Sequence, residues 1–156
     1  GLPPEQADLQ QKGFAPGMYK AGARVPDLIG NLGGPSKVDF VVGFYNVSLT
    51  ADLRASRGMS EAVYVDVDAD LYTSSFEALD WVFRSRVARV GTLIGYDDWW
   101  VNPCSKGGED LSPLETSEGK AHAQITEKYG VQFRCVAGPC RFVPEQASNS
   151  SYWGPI

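Results

Sequence analysis

Basic runs, long apolar runs, cysteine and histidine are all scarce in this chain, and each scarcity narrows what it can be. Lys and Arg number 14 against 19 Asp and Glu, a net charge of −5. With no basic run anywhere, the composition argues against a nucleic-acid-binding surface. No apolar stretch approaches the roughly twenty residues that a membrane-spanning helix needs. No charged-then-apolar leader opens the sequence, which reads against a secretory signal and for a cytoplasmic protein. The three cysteines, Cys104, Cys135 and Cys140, do not make a disulfide framework. Cys135 and Cys140 could face each other across a hairpin, but reduced thiols are the expectation. The single histidine, His122, falls on a helical stretch, where a lone histidine is ordinarily a surface or half-buried residue without a catalytic role. Internal repeats and low-complexity segments are absent.

What is present suits one domain over residues 1–156: 43% hydrophobic and 12% aromatic residues, enough for a real core. Residues 1–16 are rich in Pro, Gly and Gln and read as a loop. Gly17 to about Leu32 is expected to be helical in part, with Pro26 near the helix start and Gly33-Gly34-Pro35 as a stop and turn. Val38–Phe44 reads as a first strand, Leu49–Arg57 as a short helix and Glu61–Asp68 as a second strand. Ser74 to about Val87 is a helix with Phe76, Leu79, Val82 and Phe83 as its apolar stripe and a capping box from Ser74 to Glu77. Val90–Tyr96 reads as a third strand and 99–116 as a long loop. Ser117–Tyr129 is a helix with Ala121, Ile125 and Tyr129 spaced by four, stopped by Gly130. Val131–Val136 and Arg141–Val143 read as a closing hairpin. The order β-α-β-α-β-α-β-β predicts an α/β fold, mostly parallel, with an antiparallel hairpin at its edge.

Two of these strands end in acid. Glu61-Ala-Val-Tyr-Val-Asp-Val-Asp68 runs into Asp70, and Val90-Gly-Thr-Leu-Ile-Gly-Tyr96 runs into Asp97-Asp98. A buried parallel strand that stops at carboxylates opens onto a crevice, and ligands of open α/β sheets sit beyond the carboxyl ends of strands. Asp68, Asp70, Asp97 and Asp98 could therefore gather around one point, a cluster that suits a hard divalent cation such as Mg²⁺. The plainer reading is that they are solvated strand ends and helix caps. Asp70 reads as a cap or turn residue. Asp66 shares side-chain parity with Asp68, so it is expected to face the same crevice. Trp99 and Trp100 are candidate walls of a substrate pocket or, equally, a cover over the sheet end. The loop 99–116 could serve as a lid or be an ordinary insertion.

Several segments, taken in order, resemble a known family. Gly1-Leu-Pro-Pro4 is similar to the end of a "D-S-F-x-G-L-P" segment. Val42-Gly-Phe-Tyr-Asn-Val-Ser-Leu49 resembles "G-x-F-x-D-T-L", with Asn46 where Asp is usual. Val67-Asp-Ala-Asp-Leu-Tyr-Thr-Ser74 resembles "L-D-x-D-L-Y-E-S", and Gly95-Tyr-Asp-Asp-Trp99 a "D-D-Y" strand end. The helix around Gly119–Glu127 is similar, loosely, to one carrying "A-V-D-E-F". Together they resemble the C-terminal two-thirds of a class I S-adenosylmethionine-dependent O-methyltransferase of the macrocin O-methyltransferase type, a Rossmann-like fold. The resemblance implies Mg²⁺ held by Asp68, Asp97 and Asp98, with S-adenosylmethionine as methyl donor. It also implies a small-molecule hydroxyl acceptor such as a sugar, and Asp68 as the base that takes the hydroxyl proton.

The family's donor-binding elements are a first strand, its Gly-rich turn and an acidic residue after the second strand. None of them is found here, so no cofactor-binding residue is assigned. The expectation is a partial domain. It would belong to a longer polypeptide, be completed by a protein partner or second copy covering an open sheet edge, or serve as a non-catalytic half-domain. A separate alternative is a metal-dependent glycosyltransferase, on the D-x-D pattern of Asp66-Val-Asp68, which leaves Asp97 and Asp98 unexplained.

Overall fold

A proline at the start and a pair of glycines at the end define the first ordered element. In the computed structural model, which describes residues 22, 24–99 and 113–138, helix α1 spans Val25–Asn31 with Pro26 in its first turn, where a missing N–H costs nothing. Gly33 N–H donates to the Gly30 carbonyl and Gly34 N–H to that of Ile29. Gly33 has φ +96°. This is a Schellman stop, and the left-handed residue is the glycine that tolerates it. A one-turn helix, α2, follows at Tyr45–Ser48. The chain divides into two units, residues 1–50 and 51–156. None of the described residues of the first unit is buried.

The second unit holds the core. Helix α3 (Leu53–Ser56) buries Leu53. Strand β1 (Tyr64–Val67) pairs in parallel with β2 (Leu93–Tyr96), Tyr64 opposite Leu93 and Val67 opposite Tyr96. Between them runs α4, Tyr72–Arg84, as a parallel pair requires. Arg54 ties down the turn that follows α4, its guanidinium donating to the carbonyls of Ser85 and Arg86 at 2.8 Å each. After a 3₁₀ turn at Pro113–Glu115 comes α5, Ser117–Tyr129, stopped by Gly130 in the left-handed conformation. Helices α4 and α5 pack against one another and against one face of the sheet. Val67, Leu79, Ala121 and Ile125 form the buried centre, with Val65, Phe76, Phe83, Ile94, Tyr96 and Tyr129 around it. The alternation of a strand explains the choice: Val65 and Val67 face the helices, whereas Tyr64 and Asp66 point the other way. On that second face, with the flanking loops, Val63, Tyr64, Val90 and Leu93 stay exposed.

The fold is mixed α/β with a two-stranded parallel sheet among the described residues, which is less sheet than the sequence predicts. Residues 38–44 form no strand. Asp39 draws the Phe40 N–H to its own carboxylate (2.8 Å), and Gly43 has φ +142°. The Phe44 carbonyl is taken by Val47 and Ser48 at the start of α2. Such local bonds compete with a ladder. Residues 131–136 form no strand either. Phe133 instead sets its ring against those of His122 and Phe83, so side-chain packing on the helices holds this segment. The second arm expected for that hairpin, 141–143, lies outside the described residues. Helix α4 begins at Tyr72, two residues ahead of Ser74, so the Ser74–Glu77 capping box does not form; the N-cap is Leu71, with no side-chain cap. Cys135 is disulfide-bonded, which overturns the reduced thiol expected there. None of the described helices is long and apolar enough to cross a membrane.

Candidate functional site

Parallel pairing in register brings the two acidic strand ends abreast. Val67 lies opposite Tyr96, and the ladder runs one step further, with Asp97 N–H donating to the Val67 carbonyl at 3.1 Å. Asp68 and Asp97 are therefore level across the pair, and Asp98 follows. Each of Asp68, Asp97 and Asp98 places one carboxylate oxygen within 4.8 Å of the others. Asp68 and Asp97 are exposed and Asp98 half-buried. Three convergent oxygen ligands open to solvent are a donor set that suits a hard divalent cation completing its shell with water.

The charges in this cluster oppose one another. The Asp68 carboxyl is held above its ordinary range by partial desolvation and then by the negative charges of Asp97, Asp98 and Asp66. Asp68 is exposed, so the repulsion is the part that a cation would relieve. Asp70 is pushed up to about 7, by burial first and then by its hydrogen bond to the Asp98 carboxylate and the charges nearby. Its backbone is left-handed, φ +53°, a conformation that Asp tolerates better than most residues. Asp70 is thus a turn residue, as its position suggested, and also a proton-sharing partner of Asp98. Asp66 lies on the open face of β1 and accepts the Tyr64 hydroxyl at 2.8 Å.

Beneath the cluster is a residue that the sequence reading passed over. Glu118, in the first turn of α5, is fully buried. One of its oxygens accepts the Asp98 N–H at 3.0 Å and the other the Ala69 N–H at 3.5 Å. Burial pushes its carboxyl up to about 8, the two N–H bonds pull the other way, and Asp98 and Asp68 add to the rise. A Glu in a first helical turn is commonplace, favoured there by the helix dipole. The available signal was its phase: Glu118 sits three residues before Ala121 and seven before Ile125, on the apolar stripe that faces the core. Next to it the Ser117 hydroxyl donates to the Asp70 carbonyl.

An aromatic wall adjoins the β2 end. The Trp99 ring centroid lies 5.0 Å from that of Tyr96 and 5.3 Å from that of His122. His122 is buried, with Nδ1 3.0 Å from the Tyr96 hydroxyl, and burial pushes its pKa down to about 4, so it is neutral at pH 7. Trp99 is half-buried against this wall, with part of its surface free. Trp100 and most of the 99–116 loop lie outside the described residues. Gly33-Gly34 closes a helix, as its sequence suggests, rather than linking a strand to a helix, so it does not fit a methyl donor's adenosyl group. No family model, curated protein or solved structure matches this chain.

Proposed function

We propose that this chain is the metal- and acceptor-binding part of a Mg²⁺-dependent O-methyltransferase, acting on a hydroxyl of a small molecule such as a sugar. The observation that carries the reading is the convergence of Asp68, Asp97 and Asp98 within 4.8 Å at the carboxyl ends of two parallel strands. Mg²⁺ there would orient a substrate hydroxyl and lower its pKa. Asp68, as the sequence resemblance implies, would be the carboxylate to receive the hydroxyl proton. The free surface of Trp99 would flank the acceptor, with Trp100 beside it in sequence. S-adenosylmethionine, the donor that the sequence resemblance implies, would be held by elements outside the described residues. The D-x-D glycosyltransferase alternative has less support. Asp66 is engaged by Tyr64, and the pattern leaves out two of the three converging carboxylates.

The first test is a Mn²⁺ titration followed by the free-ion EPR signal, with Mg²⁺ as competitor. One site is expected, and none in the double variant Asp68→Asn/Asp97→Asn. Equal binding by that variant would remove the metal site and the reading with it. Methyl transfer by the natural polypeptide should stop with a chelator and return with Mg²⁺.

One observation favours a second reading, a non-catalytic half-domain in a larger assembly. Tyr64 (56% exposed) and Leu93 (48%) lie opposite each other on the uncovered sheet face, with Val63 (75%) and Val90 (57%) exposed in the flanking loops. A protein partner or second copy over that face and the sheet edges would then be the chain's business. Co-purification with such a partner, together with no Mn²⁺ binding, would select this reading.

A further inference from the structure

Among the described residues, the two loops that carry the carboxylates share no backbone hydrogen bond beyond the one that closes the β1–β2 ladder at Asp97. Further out the Asp70 carboxyl meets the Asp98 carboxylate, and a side chain from below joins the two loops at their backbones. Glu118 reaches up from α5 and takes one N–H from each loop, Ala69 after β1 and Asp98 after β2. It is fully buried, and both its oxygens are engaged, so it is not itself a ligand of the cluster. The neighbouring Ser117 reinforces the same junction through the Asp70 carbonyl, with both residues of that contact held at positive φ (44° and 53°). A carboxyl group offers two oxygens that can each accept an N–H, and the protonated form that burial favours keeps acceptor lone pairs on both. Removing either tie would loosen one loop from the helix beneath it, and a cation site depends on ligand placement.

We propose that Glu118 is the positioning residue of the cation site: it fixes the spacing of Asp68 and Asp98 by bridging the backbones of their loops. The proposal rests on the cation reading above. Glu118→Gln is the informative change. The amide oxygen keeps one N–H bond, but its NH₂ then confronts the second N–H, donor against donor. Outer-shell losses of this kind typically weaken metal binding by about 10–100-fold.

The experiment is Mn²⁺ affinity by EPR on the whole chain for wild type, Glu118→Gln, Asp68→Asn/Asp97→Asn and Ile125→Val. Ile125→Val loosens the same helix in the core without touching the loops. Expected is a roughly 10–100-fold weaker Kd for Glu118→Gln, wild-type affinity for Ile125→Val and no binding by the double variant. Wild-type affinity in Glu118→Gln, or an equal loss in Ile125→Val, overturns the positioning role while the cation reading stands. No binding by wild type, or unchanged binding by the double variant, overturns both. If Glu118→Gln does not fold, the wild-type protein decides. A tie that positions the ligands must itself be strengthened by the cation, because coupling is reciprocal. Amide exchange at Ala69, which is not a ligand, should slow when Mg²⁺ saturates the site; an unchanged rate overturns the proposal.

Discussion

At the scale of single residues, Gly95 is held to glycine by the Tyr64 ring, which reaches over it from the adjacent strand. A Cβ there would overlap the Tyr64 hydroxyl and come within 3.0–3.1 Å of its ring. Gly95→Ala should drive the exposed ring off β2 and break its bond to Asp66. In a Tyr64→Ala background the same change should be nearly neutral, a coupling of about 0.5–3 kcal/mol in a double-mutant cycle read by urea unfolding. In the core, Leu79→Ala removes a side chain that is 1% exposed and should cost about 2–5 kcal/mol, with the urea midpoint falling and the slope unchanged. At this scale the site was half legible. Asp68, Asp97 and Asp98 stand out because carboxylates at the ends of apolar runs break the pattern around them. Glu118 did not stand out. Its charge suits a first helical turn, and only its phase against Ala121 and Ile125 betrays that it points inward.

At the scale of elements, α5 was fully legible and the outer strands were not. Its stripe of Ala121, Ile125 and Tyr129 and its terminal glycine are both local signals, and the helix runs from Ser117 to Tyr129 as they indicate. Gly130 has φ +60° with open space where a Cβ would sit. Gly130→Ala should therefore cost only the left-handed backbone penalty, roughly 1–2 kcal/mol. In thermal unfolding Gly130→Asn should lose less than Gly130→Ala. Strands carry no such local bounds. Val38–Phe44 and Val131–Val136 have strand composition, but a strand exists only where another backbone pairs with it. In both segments local bonds or ring packing prevail. β1 and β2 come out shorter than the runs that announce them. Gly91 (φ +93°) and the bonds between Arg89 and Thr92 turn the chain just before Leu93.

At the scale of the whole molecule, the buried ionisable groups set a pH dependence. Asp70 and Glu118 are raised to about 7 and about 8, so the folded state keeps protons that the unfolded chain releases near pH ~4. Their ionisation opposes folding, and stability falls as pH rises towards those values. His122, lowered to about 4, acts in reverse: its contribution is complete above pH ~6.5 and lost as pH falls towards 4. Between pH ~6.5 and ~8 only the carboxylates contribute. The urea midpoint in metal-free buffer should drop across that window, and saturating Mg²⁺ should flatten the drop; a rising midpoint would contradict the assignment. The mixed α/β class was legible at this scale from the alternation of apolar runs and helical stripes. The extent of the sheet was not, because strand partners are chosen across distances that no local pattern records. The parallel pair has one more consequence, in the order of synthesis. β1 cannot close its ladder until β2, about thirty residues later in the chain, has left the ribosome. At ~5–20 residues per second that is a wait of seconds. Glu118 braces the two loop ends from beneath only once α5 has followed. The acidic cluster therefore gains its brace only after α5 has been made, and a chain cut short before α5 would carry all three aspartates without it.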